Sequence, residues 1–379
     1  MKILFIAMPS IHFIRWVENL KNTDFELYWF DVLDRGALKG IGNVRQFCDW
    51  KRRKLPYIKG EYYISKKMPA VYEWLSPFLM TTVNEQLEKI IKEINPDVVH
   101  SFEMQGCSYP ILQTMNKYPR IKWIYSCWGN DIYYYRNFKE HNKKIREVLN
   151  RVNFMHADCG RDAVLAAQMG FAGKDLGVIP TGGGFRLATL EKYKQPVTQR
   201  KIILVKGYQH IFGRALNVVK ALEGMPKETE GFEIVVFGAH PVVADYIAQQ
   251  KLPFSVYGRH DLEHQQTLEL MGKSLIYIGN NISDGMPNTL LEAIIMGAYP
   301  IQSNPGGASA EIINNGVNGL LIENPEDIEN IRELIIVALK EKEMMEEVYE
   351  INKEIAKQQL DYESNTKKII EVYKSVQAS

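Results

Sequence analysis

Short apolar runs alternate with amphipathic helical patterns along almost the whole chain, and the series runs twice. The first comprises KILFIAM (2–8), FELYWFDV (25–32), DVVHSF (97–102), KWIYSCW (122–128), FMHAD (154–158) and LGVIP (176–180), with helical patterns between them at 12–22 and 83–94. The second comprises KIILVKG (201–207), FEIVVFG (232–238), FSVYG (254–258), SLIYIGN (274–280), AYPIQS (298–303) and GLLIE (319–323). Helical stretches at 214–223, 241–250, 261–272, 287–296 and 326–341 separate these runs. Such a pattern requires parallel sheets covered on both faces. It predicts an α/β protein made of two doubly wound, Rossmann-like domains facing a cleft.

Between the series lies TGGGFRLATLEKYKQPVTQR, rich in glycine and polar residues. This sets the expected boundaries: a first domain over 1–180, a linker over 181–200, a second domain over 201–355, and a terminal helix over 356–379 returning to the first domain. A charged amphipathic pattern covers 342–376.

With 379 residues, each domain can bury its own core. A formal net charge of +1 provides no global field toward nucleic acid, so charged partners must be read from local clusters. Cys48, Cys107, Cys127 and Cys159 fit no C-x-x-C or zinc spacing, and free thiols point to a reducing cytosol. The apolar run at the start is cut by Pro9 and reads as a first strand rather than a leader. No stretch approaches the ~18 apolar residues of a membrane span. The expected location is therefore cytoplasmic.

The most informative stretch is SDGMPNTLLEAIIMGAYPI (283–301). Pro287 suits a helix start and Gly297 its end. The helix between them is apolar nearly all round, which predicts burial, yet it carries Glu292. A buried carboxylate needs partners. Sugar or ribose hydroxyls would serve, and so would a buried arginine in a purely structural role. Open N–H groups at the helix start favour an anion such as a diphosphate. Glu292 lies roughly 7–8 Å beyond that start, at ~1.5 Å per residue. Asp284 and Glu292 could thus bracket a nucleotide diphosphate sugar.

Residues 274–327, which contain this stretch, resemble the C-terminal domain of the retaining family-4 glycosyltransferases, which have the GT-B fold. The matching residues are Asp284, Gly285, Glu292, Ala293, Gly297, Gly306, Gly307, Glu311, Gly316, Asn318 and Gly319. The family usually has Glu at the first acid. Asp284 keeps the charge with one methylene less. The resemblance implies a nucleotide sugar, UDP-linked by preference, held by Gly285, Met286, Pro287, Asn288, Thr289 and Glu292, with Asp284 on the donor sugar. It implies phosphate-binding cations after the first strand of the second domain, here Arg214 and Lys206. Gly258 and Arg259 lie in the loop expected at the nucleobase. No cofactor or metal is expected, and the chain contains no Asp-x-Asp pair.

The first domain should hold a glycan or lipid-linked acceptor of cell-envelope polysaccharide synthesis. Ser10 is a candidate cap for the helix after the first strand. Asp131 after the fourth run joins Asp284, Arg214 and Lys206 as a catalytic candidate, close to the acceptor, and His12 on that helix with His100 and Glu103 at a strand end are the acceptor-side candidates. Each has a structural reading beside the functional one. Arg15 and Trp16 read as surface and packing. The segment 50–80 interleaves seven basic residues with aromatics, which suits peripheral contact with the inner face of an anionic membrane. Single-stranded nucleic acid offers similar complementarity but is not the expected partner.

Two rival readings share the architecture: a nucleotide-sugar epimerase, and an inactive nucleotide- or sugar-binding module. A dehydrogenase is disfavoured because no G-x-G-x-x-G follows a strand.

Overall fold

The computed structural model describes residues 1–341 and 344–379. The first two residues of the charged segment 342–376 lie outside that range. Two parallel sheets organise the chain. The first runs β3-β2-β1-β4-β5-β6-β7, from β1 (Lys2–Ala7), β2 (Glu26–Asp31), β3 (Val44–Phe47), β4 (Val98–Phe102), β5 (Lys122–Cys127), β6 (Phe154–Ala157) and β7 (Lys174–Val178). The second runs β10-β9-β8-β11-β12-β13, from β8 (Ile202–Lys206), β9 (Glu233–Ala239), β10 (Ser255–Gly258), β11 (Ser274–Gly279), β12 (Tyr299–Ser303) and β13 (Leu320–Ile322).

The alternation therefore gives the expected two Rossmann-like sheets. β3 carries no apolar run (its sequence is VRQF), which is tolerable only because it lies at the sheet edge. The central strands are largely apolar on both faces and buried apart from the lysines that open β1 and β5, as helices cover both sides. In each sheet the order reverses beside the first strand, and ligand crevices form beyond the carboxyl ends at such switch points.

The linker opens with Gly182, Gly183 and Gly184, all at positive φ. A Cβ at Gly183 would lie 2.3 Å from the Asn19 amide, and one at Gly184 would lie 2.7 Å from the Leu360 carbonyl. The chain crosses between domains again here, with Phe185 and residues 360–362 exchanging backbone hydrogen bonds. Helix Tyr362–Ala378 then packs on the first domain. There Tyr373 accepts from Trp16 Nε1 at 2.8 Å and meets His100 Nδ1 at 2.7 Å.

Candidate active site

A cleft of about 640 Å³ lies between the carboxyl ends of the two sheets. The first domain contributes Ile11, His12 and Arg15 after β1, Trp128 and Asn130 after β5, and Asp158 after β6. The second contributes Lys206 at the end of β8, the segment Asn281–Thr289 after β11, and Glu292.

Helix Asn288–Met296 forms one wall. Pro287 is its N-cap residue and has no side-chain acceptor, so the first N–H groups are left for a ligand or water. Gly297 ends the helix at φ 82°, a conformation that favours glycine. Glu292, one turn in, is buried but not without partners. Its Oε1 meets His264 Nε2 at 2.7 Å and the Arg15 guanidinium at 3.8 Å. Arg15 also reaches the His264 ring at 3.2 Å, so three residues from both domains form one cluster. Arg15 thus lines the cleft rather than the outer surface, and His264 carries no motif that marks it.

At the other end, Asp284 accepts from Asn281 Nδ2 at 3.0 Å and from the Gly285 N–H at 3.1 Å. Burial pushes its carboxyl upward, partly offset by Lys206. Lys206 is only 8% exposed. Its ammonium lies 4.7 Å from the Tyr208 ring centre, and among the described residues it forms no ion pair. Opposite stands Asp158, whose carboxyl is pushed well above the usual range by burial, then by Asp162 and Asp284. Among the described residues its Oδ1 has no hydrogen-bond partner, and neither does Asn288 Oδ1. Buried acceptors left open in this way suit hydroxyl donors.

His12 Nδ1 lies 3.2 Å from the Asn288 amide, and burial lowers its pKa. Ser10 caps its helix, accepting from the Phe13 N–H at 3.2 Å. Met286 and Thr289 line the cleft, and Thr289 accepts from Tyr277 at 2.9 Å. Gly285 sits where the domains touch. A Cβ on Gly129 would fall 2.1 Å from Gly285 N.

Other expected site residues lie elsewhere. Arg214 turns to Glu326 and to the carbonyls of His210, Ile211 and Gly213, so of the two expected phosphate-binding cations Lys206 is the one that lines the cleft. His100 is mid-strand and wholly buried between Tyr373 and Ser126. Side chains within a strand point to the sheet faces, not to its end. Asp131 is buried inside the turn after β5, accepting from the Tyr125 hydroxyl at 2.6 Å and the Trp128 N–H at 3.1 Å. Glu103 caps the next turn through the Gln105 and Gly106 N–H groups. The Gly258 N–H is taken by Asp261, while Arg259 is exposed with its guanidinium 5.6 Å from the Tyr208 ring centre.

Among the described residues, Asp158, Cys159 and Asp162 could in principle surround a cation. Asp162 is already paired with Arg161 at 2.8 Å, and burial pushes the Cys159 thiol far upward, so the trio is a poor ligand set.

Comparison with known proteins agrees with this architecture. Residues 190–355 match the glycosyl transferases group 1 family, and residues 2–159 match the glycosyl transferase 4-like family. The chain is a GT-B glycosyltransferase of the family-4-like type. No curated protein matches it by sequence. Among solved structures, HepE from Anabaena, in complex with UDP and glucose, is 15% identical with a TM-score of 0.67, over 99% of this chain and 100% of that one. A glycosyltransferase from Rickettsia africae is 17% identical with a TM-score of 0.70, over 99% and 98%. Sucrose-phosphate synthase from Thermosynechococcus elongatus is 13% identical with a TM-score of 0.74, over 100% and 99%. In this glycosyltransferase, then, the cleft separates two sheets of the family's paired architecture.

Proposed function

We propose that this glycosyltransferase moves a sugar, with retention, from a UDP-sugar to a hydroxyl of a glycan or lipid-linked acceptor, without a metal ion, in cell-envelope polysaccharide synthesis. The observation that carries this reading is the wall formed by Lys206, the uncapped helix start at Asn288 and the two acids at its ends. The diphosphate would lie between the Lys206 ammonium and the helix N–H groups, which stabilise the charge that grows as it leaves. Glu292 would accept ribose hydroxyls in place of Arg15 and His264. Asp284 would accept hydroxyls of the donor sugar. Neighbours solved with UDP, HepE and a pneumococcal O-GlcNAc transferase, support the choice of nucleotide.

The acceptor oxygen attacks the anomeric carbon on the face from which the diphosphate departs. A new carbon–oxygen bond forms, the bond from that carbon to phosphate oxygen breaks, and the acceptor proton passes to the departing phosphate. His12 and Asp158, which line the cleft from the first domain, would bind the acceptor. Closure of the cleft would keep water from consuming the donor.

The test is calorimetric binding of UDP, GDP, ADP and CMP, with and without EDTA, to wild type and Glu292→Ala. UDP should bind in EDTA and bind more weakly to the variant. Binding that requires a divalent ion would overturn metal independence. Absence of any nucleotide binding would overturn the donor site.

A further inference from the structure

We propose that the helical hairpin Glu61–Leu79 is a docking surface for an anionic lipid bilayer. Helices Glu61–Lys67 and Pro69–Leu79 pack chiefly on each other. An inner set of contacts holds them. Arg53 forms a two-armed pair with Glu61, both contacts at 2.7 Å, and Tyr72 donates to the same carboxylate at 3.2 Å. Lys54 pairs with Glu85 at 2.6 Å on the body of the domain. The hairpin base is thus fixed, while large apolar side chains of the segment stay exposed.

The exposed face is apolar where a solvated helix would be polar. Tyr57 is 82% exposed, Tyr62 77%, Trp74 70% and Phe78 63%. Val71, Trp74 and Phe78 recur at helical spacing and form one stripe. Leu55, Ile58 and Met68 of the same segment are also exposed and add aliphatic surface. Lys59, Lys66 and Lys67 in and beside the first helix are exposed, Lys66 with its ammonium 5.9 Å from the Tyr62 ring centre, and form no ion pair among the described residues. Aromatic and aliphatic groups together with lysines match the boundary between acyl chains and anionic headgroups.

Two other occupants fit less well. Single-stranded nucleic acid would use the cations and rings but leave the aliphatic side chains uncovered. A second copy would bring the same patch face to face, and seven basic against two acidic residues over 50–80 would repel. The hairpin leaves the sheet after β3, on the edge to which every parallel strand directs its carboxyl end, as it does toward the cleft. A bilayer held there would lie on the cleft side of the first domain. The proposal does not depend on the proposed reaction.

The full chain, free of nucleotide, is floated with phosphatidylcholine vesicles, with and without added phosphatidylglycerol, at low and high salt. It should float with the anionic vesicles and be released by salt. Trp74→Ala/Phe78→Ala and Lys66→Glu/Lys67→Glu should each reduce partitioning roughly tenfold or more, with melting temperature and UDP binding unchanged because the side chains are exposed. Absence of flotation, or equal flotation of wild type and both variants, would overturn the proposal. So would a concentration-dependent dimer dissolved by the aromatic variant, or RNA binding without vesicle binding.

Discussion

The Arg15 guanidinium of the first domain lies 3.8 Å from the Glu292 carboxylate of the second, with the His264 ring touching both. Glu292 is the residue proposed to hold ribose, so nucleotide and Arg15 compete for one carboxylate. Glu292→Ala should weaken UDP by about 10- to 100-fold, the range of a lost charged hydrogen bond. It should leave inorganic pyrophosphate affinity unchanged, because that ligand lacks ribose. Equal losses for both ligands in calorimetry would refute a ribose contact. Arg15→Ala should lower the melting temperature of the free protein by a few degrees, since Arg15 is partly exposed and the pair is worth on the order of 1 kcal/mol.

Lys206 and Arg214 separate by their partners. Lys206 faces the cleft without an ion pair among the described residues, whereas Arg214 is held by Glu326. Replacing Lys206 by Ala should lower kcat about 10²- to 10³-fold, as for loss of one group that stabilises a developing anion. Lys206→Arg should recover part of that. Arg214→Ala should change kcat by less than tenfold and show mainly as lost stability. Steady-state kinetics of the three variants would settle the assignment, and the reverse ranking would transfer the role to Arg214.

How much was legible in the sequence depends on where each signal resides. Alternating apolar runs encode a buried parallel sheet, so both sheets could be read, whereas edge strand β3 lacks the signal because only central strands need both faces apolar. Glu292 was conspicuous as a single acid on an apolar helix. Its partners Arg15 and His264 were not, because an exposed-looking Arg and a lone His acquire meaning only when the domains face each other. Asp158 was hidden at the end of an ordinary strand. His100 and Asp131 show the converse: polar residues near strand ends satisfy the interior as readily as a ligand.

Asp158 and Asp284 each have a carboxyl pKa raised by burial, and the Asp284 charge raises that of Asp158 further. A raised folded pKa means that the contribution to stability is complete below the unfolded value and is lost as pH rises through the folded one. Asp158→Asn should therefore raise the melting temperature by a few degrees at neutral pH, and flatten its decline as pH rises. Asp284→Asn should stabilise similarly while losing most transfer activity, because a neutral amide binds sugar hydroxyls less strongly than a carboxylate. Calorimetric scans across pH provide the check, and a lower melting temperature for Asp158→Asn would contradict it.

Gly129 approaches Gly285 so closely that it tolerates no side chain, since its Cβ would lie 2.1 Å from Gly285 N, while a Cβ on Gly285 would meet the Asp158 carboxylate, 2.5 Å from Oδ1. Gly129 also sits at φ 86°. Gly129→Ala should leave both domains folded by circular dichroism but force them apart. Misplacement of about 1 Å costs on the order of 100-fold in rate, so kcat/KM should fall by that order. UDP affinity, which the proposed function assigns mainly to the second domain, should change by less than tenfold. Equal losses in UDP binding and turnover would mean that the contact shapes the donor site itself rather than bringing donor and acceptor together.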